Sequence, residues 1–208
     1  YNNLNEDILN TFVPANPSTG IEAPAPLANI GSVRNSGLEF NVGIASKPGK
    51  DFRYGVNVNF STNENMVEEL GAEFLTGGNT RMGDVNRTEA GRSFANFYGL
   101  EADGLDSNGR LNFVDQNGDN VINDDDRTYI GDPNADFFYG VNLNLGYKGF
   151  DLAATFTGVG GNDIYNYERF FTDFPLFFNN NRSTRLVNSW TPSNTNTSVP
   201  ALSNTIQG

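Results

Sequence analysis

An all-β, antiparallel fold is what the sequence predicts, and three observations predict it. Apolar and polar residues alternate over four separate runs, the period of two that belongs to a strand rather than a helix. Two of those runs, DFRYGVNVNF from Asp51 and DFFYGVNLNL from Asp136, nearly repeat each other, each holding asparagines between apolar neighbours. The composition agrees: 23 glycines, 17 phenylalanines and 8 tyrosines accompany an apolar content of 37%, below the usual globular range of about 45–50%. That is a pattern of strands separated by many turns.

Taken in order, the first 36 residues read as an extended loop, because Pro14, Pro17, Pro24 and Pro26 break any helix. From Gly37, Leu38, Phe40, Val42 and Ile44 face one way while Glu39, Asn41, Gly43 and Ala45 face the other. The turn KPGK at 47–50 follows, and Phe52, Tyr54, Val56, Val58 and Phe60 then resume the apolar face opposite Arg53, Gly55, Asn57, Asn59 and Ser61. This is one hairpin. A second sets Phe137, Tyr139, Val141, Leu143, Leu145 and Tyr147 against Phe138, Gly140, Asn142, Asn144, Gly146 and Lys148, turns at Lys148-Gly149, and returns through Phe150, Leu152, Ala154 and Phe156. The stretches 62–136 and 158–208 read as irregular and far exceed an ordinary loop of about 4–6 residues. Within them, 93–102 is a candidate strand, 182–190 a candidate short helix and NTNTS a polar loop.

Several function classes are excluded by charge and residue type. Lys and Arg total 13 against 25 Asp and Glu, a net charge of −12, which repels a phosphate backbone and makes nucleic acid no partner. With no cysteine and no histidine, disulfides, the usual zinc sites, thiolate nucleophiles and the commonest general base are all missing. The acid pairs Asp124–Asp125 and Glu68–Glu69 are adjacent residues that point apart, unlike the facing carboxylates of a glycosidase. No enzyme activity is therefore expected. No apolar run reaches about 18 residues, so no transmembrane helix is present, and YNNLNEDIL at the start has no signal-peptide character.

Strands with one apolar and one polar face fit two architectures. In a soluble sandwich the apolar face is the core; in an antiparallel transmembrane β-barrel it meets lipid and the polar face lines the lumen. Three details favour the barrel. The polar faces carry Asn, Gly, Ser, Thr and Ala rather than Lys and Glu, the strands are bracketed by Phe52, Tyr54, Phe60, Phe137, Tyr139, Tyr147 and Phe150, and short turns alternate with long loops. Each run of about 9–11 residues also suits a tilted membrane-crossing strand.

The blocks NIGSVRNSGLEF (29–40), EAGRSFANFYGLEADGL (89–105), DQNGDNVINDDDRTYIGDPNADFFYGVNLNLGYKGFDL (115–152), GVGGNDIYN (158–166) and NSWTP (188–192) resemble, in order, the SusC/RagA family of TonB-linked outer-membrane transporters. The resemblance implies a barrel of about 22 strands around a plugged lumen. It also implies an N-terminal plug and TonB box through which TonB acts, and uptake of glycans or peptides beneath a SusD-like surface lipoprotein. Residues 1–208 show no plug, no TonB box and no closing strands, so the expectation is an internal piece of the C-terminal barrel half, with open edges that prevent stable folding alone. If the turns at 47–50 and 148–149 are both periplasmic, strand 51–61 runs outward and strand 137–147 inward. The 62–136 insertion and the GNDIYNYERFFTDFPLFF segment then face the cell exterior.

Inside that insertion, DQNGDNVINDDD spans 115–126 and spaces Asp115, Asn117, Asp119, Val121, Asn123 and Asp126 at positions 1, 3, 5, 7, 9 and 12 of an EF-hand-like loop. Short carboxylates and amides at alternate positions, with a backbone carbonyl at the seventh, supply the oxygens Ca²⁺ requires. Asn120 replaces the usual glycine and Asp126 the usual glutamate, and an Asx-rich turn without metal is the alternative. Tyr165, Tyr167, Phe170, Phe171, Phe174, Phe177 and Phe178 are candidates to stack on sugar rings, to lie under a lid, or to pack on one another. The function rival to the transporter is a soluble, calcium-stabilised β-sandwich that binds carbohydrate or mediates adhesion. Burial of the face bearing Phe40, Val42, Tyr54, Val56, Val141 and Leu143 would favour it.

Overall fold

The computed structural model describes residues 1–8, 10–12, 27–29, 31–47, 49–81, 83–174 and 181–203. Its strands, in chain order, are β1 (Asn2–Asn5), β2 (Asn10–Phe12), β3 (Leu27–Asn29), β4 (Gly31–Ser36), β5 (Glu39–Ala45), β6 (Phe52–Thr62), β7 (Glu64–Leu70), β8 (Leu75–Gly77), β9 (Asn86–Thr88) and β10 (Asn96–Leu100). They continue with β11 (Ala102–Leu105), β12 (Leu111–Phe113), β13 (Arg127–Gly131), β14 (Phe137–Tyr147) and β15 (Phe150–Gly160), followed by helix α1 (Glu168–Thr172). Two compact units form, Tyr1–Phe97 with Gly131–Asp163, and Tyr98–Ile130 with Ile164–Gly208.

The first unit contains an antiparallel sheet ordered β5-β6-β14-β15. It is built from the four alternating runs, and β6, β14 and β15 are each 11 residues long. Both short turns lie at one end of it. Lys148 and Gly149 have φ of 47° and 90°, so the second hairpin closes with two left-handed residues, the conformation whose twist matches the strands. In the first hairpin Gly49 has φ of 87°; Pro48 lies outside the described residues. Strands β6 and β14 are antiparallel neighbours, so the chain crosses this sheet in opposite directions before and after the long connection, as expected from parity.

Two expectations are overturned. The first 36 residues are not all loop: β1 pairs with β4, and β4 with β7, in a three-stranded sheet. These strands, NNLN and GSVRNS, have no apolar alternation for the sequence to show; backbone pairing and the buried contact of Val33 with Val67 hold them. The four prolines fall outside the described residues. Nor is 62–136 irregular, since β7 to β13 lie in it. Most are strands of three to five residues, too short to display a period. The candidate strand at 93–102 appears as β10, and the candidate helix at 182–190 as a 3₁₀ turn, Thr184–Asn188.

Candidate functional site

The β5-β6-β14-β15 sheet separates its side chains by face, row by row. On the apolar face the register aligns Val42–Val58–Val141–Phe156 and Ile44–Val56–Leu143–Ala154. Aromatic rows bracket them: Phe52–Tyr147–Phe150 at the turn end, Phe40–Phe60–Tyr139 at the other. The span from Phe52 to Phe60 is about 26 Å along the strand, at about 3.3 Å per residue, comparable to the apolar band of a membrane barrel. This face is not a core. Phe40, Val42, Ile44 and Phe156 are 56–66% exposed, and the buried hydrophobics among the described residues are Val33, Val67, Phe170 and Val199. Among the described residues no second sheet covers it, so the packing that defines a sandwich is not formed there.

The opposite face is polar and close-fitted, with Glu39, Arg53 and Asp151 in rows toward its two ends and no charge in the rows between. Its central rows are Asn41–Asn59–Gly140–Thr157, Gly43–Asn57–Asn142–Thr155 and Ala45–Gly55–Asn144–Ala153. Asn57 donates to Asn41 Oδ1 at 3.0 Å and Thr155 to Asn142 Oδ1 at 2.9 Å. The two near-repeats face each other here. Asn57 lies opposite Asn142, its equivalent in the other copy, so the pair is related by a local twofold that puts Gly55 opposite Asn144 and Asn59 opposite Gly140. Asn59 and Asn144 thus each sit beside a position without a side chain: a Cβ on Gly140 would stand 2.7 Å from Asn59 Oδ1. The sequence displays the repeat but not this pairing. An exception to the polar character is Phe138, opposite Val159 in the row furthest from the turns.

The acidic loop, in the second unit, is organised by its own carboxylates. Asp126 is fully buried and accepts from the backbone N–H of Gln116 at 2.9 Å and of Asn123 at 2.8 Å, which closes the loop end to end. Those hydrogen bonds, the one from Asn123 foremost, hold its pKa below the ordinary value against the opposing effect of burial. Asp115 accepts from Gly118 and Asn120, Asn117 from Asp119, Asp119 from Val121, and Asn123 from Asp125. Asn120 takes φ of 63°, the left-handed turn that the sixth position of a calcium loop needs and that asparagine tolerates. Among the described residues no three carboxylates converge on one point. The donor set on offer is therefore mixed, with Asp115, Asn117, Asp119, Asn123, Asp126 and the Val121 carbonyl as its members.

The aromatic segment packs mainly on itself. Tyr165 stacks on Tyr167 at 6.0 Å and Tyr167 on Phe170 at 5.7 Å, while Phe171 and Phe174 meet Phe170 at 5.3 and 5.6 Å. Phe177 and Phe178 lie outside the described residues. In the same unit two later residues meet the β11–β12 turn: Ala201 donates to the Gly109 carbonyl at 2.8 Å, and the ring of Trp190, in the NSWTP block, lies where a Gly109 side chain would be.

The whole arrangement has close counterparts. TonB-dependent receptor P3 of Formosa agariphila is 32% identical over 84% of this chain and 19% of its own length. The RagAB peptide importer in an open state superposes with a TM-score of 0.80 and 25% identity, covering 99% of this chain and 23% of that one. The chain belongs to the SusC/RagA family of TonB-dependent receptors. TonB-dependent receptor SusC of Bacteroides thetaiotaomicron is a further relative, 28% identical over 66% of the chain. No protein-family model matches. The chain spans about a fifth of the length of these relatives, and the four-stranded sheet is a section of the barrel wall of such a receptor.

Proposed function

We propose that this chain contributes wall and outer loops to an outer-membrane importer that takes up glycans or peptides, driven through TonB and working with a SusD-like surface lipoprotein. The observation that carries the proposal is the exposed apolar face of β5-β6-β14-β15, bracketed by aromatic rows. Lipid is the solvent that such a face fits. The likeness to SusC and to the RagAB peptide importer supports nutrient uptake, and the connection 63–136, which holds most of the acidic residues, then lies on the exterior with the aromatic segment. A strain lacking the intact receptor, grown on a panel of glycans and peptides as sole nutrient, loses growth on one class. Unchanged growth on every member of a panel that the parent strain consumes contradicts uptake.

A second proposal concerns residues 115–126: the loop takes Ca²⁺ on Asp115, Asn117, Asp119, Asn123, Asp126 and the Val121 carbonyl. What favours it over a metal-free Asx turn is the left-handed Asn120 at the sixth position. On Asp115 and Asp119 each carboxylate oxygen accepts a single hydrogen bond and keeps a further lone pair for a cation. Calorimetric titration of the intact receptor shows a Ca²⁺ isotherm that Asp115→Ala and Asp119→Ala abolish; flat traces for all three proteins dismiss the site.

A further inference from the structure

The strand pairs of the barrel section are held in register in different ways. The β14–β15 pair is fixed by a two-residue turn whose φ angles are both positive, and β5–β6 by the short turn at 47–50. The central pair has no short turn. Strands β6 and β14 are joined through all of residues 63–136, a connection long enough to permit any register. The repeat deepens the problem, because apolar residues occupy alternate positions throughout both strands. A slip of two residues would still place apolar against apolar, for example Val58 opposite Leu143 or Tyr139 instead of Val141.

Among the contacts that distinguish the native register from those slips, one spans three strands. Arg53 Nη2 and Asp151 Oδ1 form an ion pair at 3.0 Å, although they belong to β6 and β15 and β14 runs between them. The residue of β14 in their row is Gly146, opposite Arg53 on one side and Asp151 on the other. A Cβ there would lie 2.8 Å from Asp151 Oδ1 and 2.9 Å from Arg53 Nη2. We infer that Gly146 is an opening through which Arg53 and Asp151 clamp β6 to the β14–β15 hairpin and set the register of the central strand pair. A two-residue slip moves Arg53 about 6–7 Å along the strand from Asp151, beyond the reach of a 3 Å contact in the same row. It also replaces the native Gly–Asn oppositions, putting Asn57 against Asn144 or Gly140. Register fixes the stagger of a closed barrel and hence its diameter, so in the membrane reading, on which this consequence rests, the clamp contributes to lumen shape.

The chain contains no cysteine, so engineered pairs report register directly. In the intact receptor, Val58→Cys with Val141→Cys reports the native register, and Val58→Cys with Leu143→Cys or Tyr139→Cys the two slips. The clamp predicts that Arg53→Gln and Gly146→Ala each lower the ratio of native to slipped cross-link by about fivefold, the upper range for an exposed ion pair. Combining them lowers it no further, and the charge swap R53D/D151R restores it. An unchanged ratio in Arg53→Gln and Gly146→Ala overturns the inference. If a single variant fails to assemble, recovery of the heat-modifiable folded band by the charge swap supports the clamp, and no recovery overturns it. Fractionation of the same cells separates the two ideas: a receptor absent from the outer membrane refutes the membrane reading, whatever its cross-links show.

Discussion

Two glycines lie under aromatic rings in different parts of the molecule, and they show how differently those parts are specified. Gly158 of β15 sits beneath Tyr139, where a Cβ would meet the ring Cζ at 2.4 Å; Gly109 sits beneath Trp190, where a Cβ would meet the ring Cδ2 at 2.4 Å. The contacts match but the backbones do not. Gly158 is in an ordinary strand, whereas Gly109 has φ of 74° in a turn closed by Asp106. The two faces of the sheet are specified redundantly, by alternation over four strands, and its glycines make room. The second unit depends on single turns, where glycine supplies conformation as well as space.

Substitution of the two glycines should therefore have unequal effects, with Gly109 the more sensitive. Gly109→Ala adds left-handed strain to the displacement of Trp190 and costs about 3 kcal/mol, read as rapid protease cleavage at 106–110 in the intact receptor with the barrel band unchanged. Gly158→Ala only displaces the Tyr139 ring and costs about 1–2 kcal/mol, read as a lower unfolding temperature in detergent. Equal effects would refute the distinction. Ala95 offers the converse test, since its φ of 60° is one that alanine adopts at a cost. Ala95→Gly therefore stabilises the segment by about 0.5–1 kcal/mol, after the entropy lost by glycine, and raises the unfolding temperature.

The smallest effect is a pH dependence. Asp106 titrates below its ordinary 3.8, chiefly because the backbone N–H of Arg110 donates to its carboxylate, with Asn108 adding to this and burial opposing it. A lowered pKa means stabilisation present above pH 3.8 and lost as pH falls through the folded value. Pepsin cleavage at the 106–110 turn then rises as pH drops below that point, and Asp106→Asn flattens the rise.

The legible part of the sequence was the part with a period. All four strands of the barrel section, both short turns and the opposite running of β6 and β14 follow from alternation and turn chemistry. What stayed hidden lacked a period or depended on distant partners: β1 and β4, whose polar residues are paired by backbone, the short strands of 62–136, and Trp190 on Gly109. For the acidic loop, spacing marked candidate oxygens, and Asn120 takes the left-handed conformation that asparagine tolerates in place of glycine. Spacing gave no hint that Asp126 is the buried residue tying the loop's ends. The near-repeat was visible at once, but its meaning was not: its copies are adjacent strands, matched glycine to asparagine about Asn57 and Asn142.

In a membrane wall, Val56, Val58 and Phe60 face lipid while Asn57 and Asn59 face the lumen. Nitroxide labels placed one at a time on cysteines at 56–60 of the intact receptor in lipid vesicles test this directly. Collision with oxygen should peak at 56, 58 and 60, and collision with a water-soluble nickel complex at 57 and 59. Labels at 56, 58 and 60 shielded from both reagents would show that the apolar face is buried against protein, and would contradict the membrane wall.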